Sequence, residues 1–113
     1  MNRGEIWTLR DEGYSRKARP VVIVQANPGE LFDSVILCLF TTFESSHIPT
    51  RVYISSNETN GLKRDSFVMT EKLITIDKKE LGEKKGVLTS DQMRQISRQL
   101  AKLLEIRKED TEA

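Results

Sequence analysis

Two short stretches of this 113-residue chain hold side chains of a type and spacing that could act on a phosphodiester. The first is Arg19-Pro20, which opens the β-branched run Val21-Val22-Ile23-Val24. An arginine held at the mouth of a buried strand stays charged and offers a planar fork that fits phosphate oxygens. On spacing alone the commoner reading is a strand-end charge turned to water. The second stretch is Thr41-Thr42, which closes the apolar run that begins at Ser34. A hydroxyl there could donate to a non-bridging phosphate oxygen, although threonine is also an ordinary strand residue. Just before Arg19, a loop carries Gly13, Tyr14, Ser15, Arg16 and Lys17. Its two cations would seek phosphate. Tyr14 could stack on a splayed base or equally pack against protein.

Other chemistries find little support. One His47 and one Cys38, without paired His/Glu spacing, predict no metal site. No glycine-rich loop precedes a helix, so no cofactor is predicted either. A Ser–His–Asp or Cys–His arrangement would need His47, which reads as a solvated loop residue. Eighteen Lys and Arg against 17 Asp and Glu leave a formal net charge of +1, which excludes an evenly basic nucleic-acid coat. A nucleic-acid site would have to come from local clustering of charge. The single cysteine, the absence of an apolar stretch behind Met1 and the shortness of the run Val35 to Phe40 together predict a cytoplasmic protein with no membrane partner.

The elements that must position these residues read as strands followed by one helix. Gly4 to Leu9 is a first strand, and Val21 to Val24 a second. The second, apolar throughout, is covered on both faces or bent through a small barrel. Asn27-Pro28-Gly29 marks a turn, and Ser34 to Thr42 a third strand. Arg51 to Ser55 alternates with period two, as a half-exposed strand does. Ser66 to Thr70 and Leu73 to Ile76 read as strand pieces, or as one strand interrupted at Glu71-Lys72. Gly82 and Gly86 bracket a turn. Thr89 and Gln92 have capping-box spacing. Met93, Ile96, Leu100, Leu103 and Leu104 then form one apolar stripe, predicting a helix of about four to five turns. Residues 107–113 lose the pattern and are expected to fray. This order predicts a β-rich α+β domain, a small, strongly bent antiparallel barrel with a C-terminal amphipathic helix packed on it.

Several of these motifs, in order, resemble the MazF/PemK family of toxins from bacterial toxin–antitoxin pairs. They are Arg3-Gly4-Glu5-Ile6-Trp7, Arg19-Pro20-Val21-Val22-Ile23-Val24, Cys38-Leu39-Phe40-Thr41-Thr42, Arg64-Asp65-Ser66-Phe67-Val68-Met69 and Gly86-Val87-Leu88 before the terminal helix. The similarity covers about residues 3 to 106 and implies a single toxin domain over 1–106. It also implies an SH3-like barrel of the CcdB/MazF kind that forms a homodimer. Such an enzyme would cleave single-stranded RNA at short sequences without metal, and a cognate acidic antitoxin would block its site. Operator DNA would be bound only by the toxin–antitoxin complex.

Carried over by position, Arg19 corresponds to the family's catalytic arginine and Thr41 to its catalytic threonine. A one-residue shift exchanges Thr41 with Thr42. The RNA contacts implied are Tyr14, Ser15, Arg16, Lys17, Thr42 and Lys72. The loop before Arg19 departs from the family's Gly-Ser-Glu-Gln-Gly-Gly, and Phe43 stands where many members have Gln, so the cleavage sequence does not transfer. RNA carries its own nucleophile, the 2′-hydroxyl, which leaves the enzyme to stabilise the charged phosphorane. Two alternatives stand beside this reading. One is a CcdB-like gyrase poison, although Lys102 to Ala113 lacks the Trp-Gly-Ile by which those toxins act. The other is a non-enzymatic nucleic-acid-binding barrel.

Overall fold

The computed structural model describes residues 1–10 and 19–112. The basic loop with Tyr14, Ser15, Arg16 and Lys17 therefore lies outside the described residues. Six strands form one antiparallel sheet: β1 (Glu5–Leu9), β2 (Pro20–Ile23), β3 (Ser34–Thr41), β4 (Arg51–Ile54), β5 (Ser66–Asp77) and β6 (Leu81–Val87). Their spatial order is β4-β5-β3-β2-β1-β6. A 3₁₀ turn, Lys78–Glu80, joins β5 to β6, and α1 (Ser90–Leu103) and α2 (Lys108–Thr111) follow.

The predicted two-sided burial of the second strand has a concrete cause. The sheet curls, so neighbouring residues of one strand enter different cores. Val22 and Cys38 join Ile6, Val52, Ile54, Val68 and the helix residues Met93 and Ile96 in one core. Val21, Ile23, Val35 and Leu37 join Leu81 in the other, with Trp7, Ile74 and Ile76 packed against them. Strand side chains alternate between faces, so a continuous β-branched run suits a strand that is wet on neither.

β5 makes the curl possible. Cys38 of β3 pairs with Leu73 and the next residue, Leu39, with Met69, so Thr70, Glu71 and Lys72 are looped out as a bulge. A bulge bends its strand and increases the local twist. The two pieces read from the sequence are thus one bent strand, whose first half pairs with β4 and whose second half lies along the start of β3.

One expectation fails. The stretch read as a turn between Gly82 and Gly86 is the strand β6, paired with β1 from Glu5↔Val87 to Leu9↔Leu81. Its polar, glycine-bearing sequence hides it, because β6 is an edge strand largely open to solvent. The glycines serve close approach: a Cβ on Gly82 would lie 2.8 Å from Thr8 Oγ1, and one on Gly86 2.3 Å from the Thr59 carbonyl oxygen.

The helix starts as predicted. Thr89 Oγ1 accepts the Gln92 N–H at 3.1 Å, and Gln92 Oε1 accepts the Thr89 N–H at 2.9 Å. Of the apolar stripe, Met93 and Ile96 are buried and Leu100 packs against the core. Burial of such side chains is worth about 1.5–3 kcal/mol each. Leu103 and Leu104 instead remain exposed where α1 ends.

Candidate active-site cleft

A cleft of about 640 Å³ opens beside the start of β2 and the end of β3. It is lined by Ile6, Thr8, Pro20, Thr42 and Ser66, by the segment Gly61 to Arg64 and by Lys85 of β6. Arg19 directly precedes Pro20 and is exposed. Its backbone is fixed, because the Arg19 carbonyl accepts the Leu9 N–H at 3.0 Å.

The two threonines differ in placement. Along β3, Leu37 and Leu39 face the second core, whereas Cys38 and Phe40 face the first. Period-two alternation continues this pattern, and Thr42 lines the cleft together with Ile6 and Leu62. Thr41 stands opposite Phe67 of β5, and its Oγ1 accepts the Phe43 N–H at 3.1 Å, fixing the turn by which the chain leaves the strand. Thr42 thus shares the cleft with Pro20, whereas the register that pairs Val21 with Leu39 continues to Arg19 opposite Thr41, on the face of the second core.

Other candidates fall elsewhere. Lys72 is exposed on the β5 bulge and does not line the cleft. Beside it, Glu71 is bound to Arg51, whose Nε lies 3.1 Å from Glu71 Oε2 and whose Nη1 donates to Ser45 Oγ at 2.9 Å. This guanidinium holds the Glu71 carboxyl below its ordinary range, against the opposing effect of burial. Glu71 is thus an ionised structural partner outside the cleft. His47 is exposed in the β3–β4 loop, as its sequence context suggests. Cys38 is fully buried, and burial pushes its thiol up to about 12, so it packs as a small hydrophobe.

Glu5 is a buried carboxylate next to the cleft residue Ile6. Burial alone would raise its pKa. The Asn2 N–H, the Trp7 indole N–H at 3.0 Å and the Lys84 ammonium at 3.1 Å outweigh burial and hold it at about 2. It anchors β1 to β6 as a charged, satisfied group.

Lys63, Arg64 and Lys85 of the cleft wall were not among the residues that sequence reasoning selected for binding. The Lys63-Arg64 doublet beside turn residues was a signal for two of them. Lys85 lies about twenty residues further on, and only the fold brings it there.

Small SH3-like barrels closed by a helix after the last strand form a recognisable structural class, and this curled six-stranded sheet belongs in it. Comparison with known proteins narrows the class. The family of PemK-like, MazF-like toxins of type II toxin–antitoxin systems matches residues 2–104, and the chain belongs to that family. It is 32% identical over 107 residues to a probable endoribonuclease MazF of Mycolicibacterium smegmatis, which covers 94% of this chain and 98% of the relative. A mycobacterial endoribonuclease solved with its cognate antitoxin superposes with a TM-score of 0.77 at 28% identity, over 95% of this chain and 97% of that one. A Mycobacterium tuberculosis MazF toxin superposes with a TM-score of 0.76 at 24% identity, over 93% and 99% of the two chains, and bears on the fold alone.

Proposed function

We propose that this MazF-type toxin is an endoribonuclease that cuts single-stranded RNA by internal transesterification, with Arg19 and Thr41 serving the reacting phosphate. The observation that supports this reading is the strand register: Ile23 pairs with Leu37 and Val21 with Leu39, which continues to Arg19 opposite Thr41 on one face of the sheet. In the reaction the ribose 2′-oxygen attacks phosphorus, the bond to the 5′-oxygen breaks, and the proton lost by the 2′-hydroxyl is balanced by one gained at the leaving oxygen. The arginine fork stabilises the dianionic phosphorane, and the threonine hydroxyl donates to a non-bridging oxygen. A guanidinium hardly deprotonates, so Arg19 stabilises charge and is no general base. The chemistry requires neither metal nor cofactor, since RNA brings its own nucleophile.

On this reading the toxin domain spans 1–106 and works in the cytoplasm as a homodimer. It cuts mRNA at a short sequence, which inhibits translation and growth. Arg16, Lys17, Tyr14 and Ser15 extend the RNA path from Arg19, and Lys72 is a more distant contact. A cognate acidic antitoxin covers the basic edge. The relative solved with its antitoxin supports such a partner, and operator DNA would be bound through that complex. Between the two threonines the register favours Thr41, which stands opposite Arg19, over Thr42, which lines the cleft on the other face. The test is cleavage of a long single-stranded RNA in EDTA, followed by end analysis. Products with 2′,3′-cyclic phosphate and 5′-hydroxyl ends are expected. Cleavage abolished by EDTA, or 5′-phosphate ends, would contradict the mechanism. Binding of RNA without any cutting would favour the non-enzymatic barrel.

A further inference from the structure

We propose that Tyr53 is a stacking platform for one base of the RNA, that of a nucleotide flanking the scissile phosphate. The inference rests on the ribonuclease reading and adds a contact to a base, where Arg19 and Thr41 serve only the phosphate.

Strand register places Tyr53 with them. Tyr53 of β4 pairs with Phe67 of β5, and Phe67 pairs with Thr41 of β3. The β2–β3 register continues to Arg19 opposite Thr41. Residues directly opposite one another in a sheet project from the same face. Arg19, Thr41, Phe67 and Tyr53 therefore form one row across four neighbouring strands. Adjacent strands lie about 4.8 Å apart, so Tyr53 stands roughly 10 Å from Thr41. One nucleotide bridges that gap. In the next row, Val21, Leu39, Met69 and Arg51, the arginine is closed by its ion pair with Glu71.

Tyr53 is 54% exposed, yet its side chain is held along its length. Its ring meets that of the buried Phe67 edge to face, with centroids 5.4 Å apart and planes at 62°. Its hydroxyl donates to Asp65 Oδ2 at 2.9 Å, while Asp65 Oδ1 accepts the Ser56 N–H at 2.8 Å. An aromatic ordered before binding gives up little further freedom when a base lies on it. Phe43, exposed two residues beyond Thr41, has no aromatic partner among the described residues to hold its ring.

Charge along the row decides which part of a nucleotide goes where. Arg19 supplies a cation at one end and Asp65 a carboxylate at the other. A phosphate is therefore drawn towards the arginine and repelled from Tyr53. The hydrogen bond to Asp65 keeps the phenol above its usual range, so the ring stays neutral. What the Tyr53 end can take is a base. Stacking on an aromatic ring tolerates any base, so the contact fixes where the strand lies rather than which base it carries.

The test uses full-length toxin and an RNA with a mapped cleavage site, made uncleavable by 2′-deoxyribose at the scissile nucleotide. Affinity is measured for wild type, for Tyr53→Leu, which keeps apolar bulk over Phe67 but has no aromatic face, and for Tyr53→Phe, which keeps the ring. Thermal unfolding checks that each variant is folded at the assay temperature. Tyr53→Leu should bind roughly 5- to 100-fold more weakly, the worth of one stacked base. Tyr53→Phe should retain most of the affinity. Abasic nucleotides are then scanned along the RNA. At one position beside the cleavage site, removal of the base should weaken wild-type binding by a similar factor yet be silent in Tyr53→Leu. Losses that add at every position, or a silent position that appears with Phe43→Leu instead, would overturn the platform while leaving the ribonuclease reading intact. So would an unchanged RNA affinity in Tyr53→Leu combined with lost antitoxin binding, which would assign the ring to a protein partner. Wild-type toxin that neither binds nor cuts RNA would overturn the ribonuclease reading and the platform with it.

Discussion

Arg51 and Arg19 stand in similar places along the chain, one opening β4 and the other directly preceding β2, yet their surroundings are opposite. Arg51 is enclosed. Its guanidinium is engaged by Glu71 and by the fully buried Ser45, and only 15% of its side chain is exposed. Arg19 is exposed and belongs to no ion pair among the described residues. A fork whose acceptors come from the protein itself holds the fold together. One left exposed, opposite a threonine hydroxyl, is available to an outside anion. The residue type is the same, and the partner decides the role.

The largest expected effect breaks the open side of this comparison. Arg19→Lys keeps the charge but loses the fork, and should cost about 2–4 kcal/mol in activation free energy for RNA cleavage. Its melting temperature should stay near wild type, and single-turnover kinetics with thermal unfolding checks both. Next comes a buried acid of the enclosed kind. The Glu5 carboxyl is lowered from an ordinary 4.5 to about 2 in the fold, so its contribution is complete above 4.5 and is lost as pH falls towards 2. The shift corresponds to roughly 3 kcal/mol. Urea unfolding across that window should show the loss in wild type and a flatter profile in Glu5→Gln.

Arg51→Ala sharpens the enclosed side. It leaves Glu71 without its cation and Ser45 Oγ without its donor, and should lower stability by about 1–3 kcal/mol. Cleavage well below the melting temperature should persist, which a catalytic arginine could not allow. The smallest effect separates the threonines. Thr41→Ala should slow cleavage by about 0.5–2 kcal/mol, the worth of one hydrogen bond. Thr42→Ala, on the other face from Arg19, should slow it less. The reverse order would move the catalytic assignment to Thr42.

Much of the fold was legible because hydrophobic pattern dictates it. The run Val21 to Val24 signalled a strand with no wet face, and Thr89 with Gln92 marked the helix start. β6 was illegible because an edge strand needs no apolar alternation, and its glycines answer to Thr8 and Thr59, neighbours distant in sequence. Arg19 stood out through its position before an apolar strand. Choosing between Thr41 and Thr42 needed the strand's phase relative to the two cores, which a one-residue uncertainty in register erases. Lys63, Arg64 and Lys85 line one cleft only through the contact between the β4–β5 loop and β6.

The central claim is that the site at Arg19 and Thr41 directs the RNA's own 2′-hydroxyl at its phosphate. It is tested most directly by replacing the ribose of the scissile nucleotide with 2′-deoxyribose, which removes the nucleophile and leaves base, phosphate and backbone in place. The account predicts that cleavage at that site stops while affinity falls little. Cutting of the deoxy-substituted strand at the normal rate would contradict it.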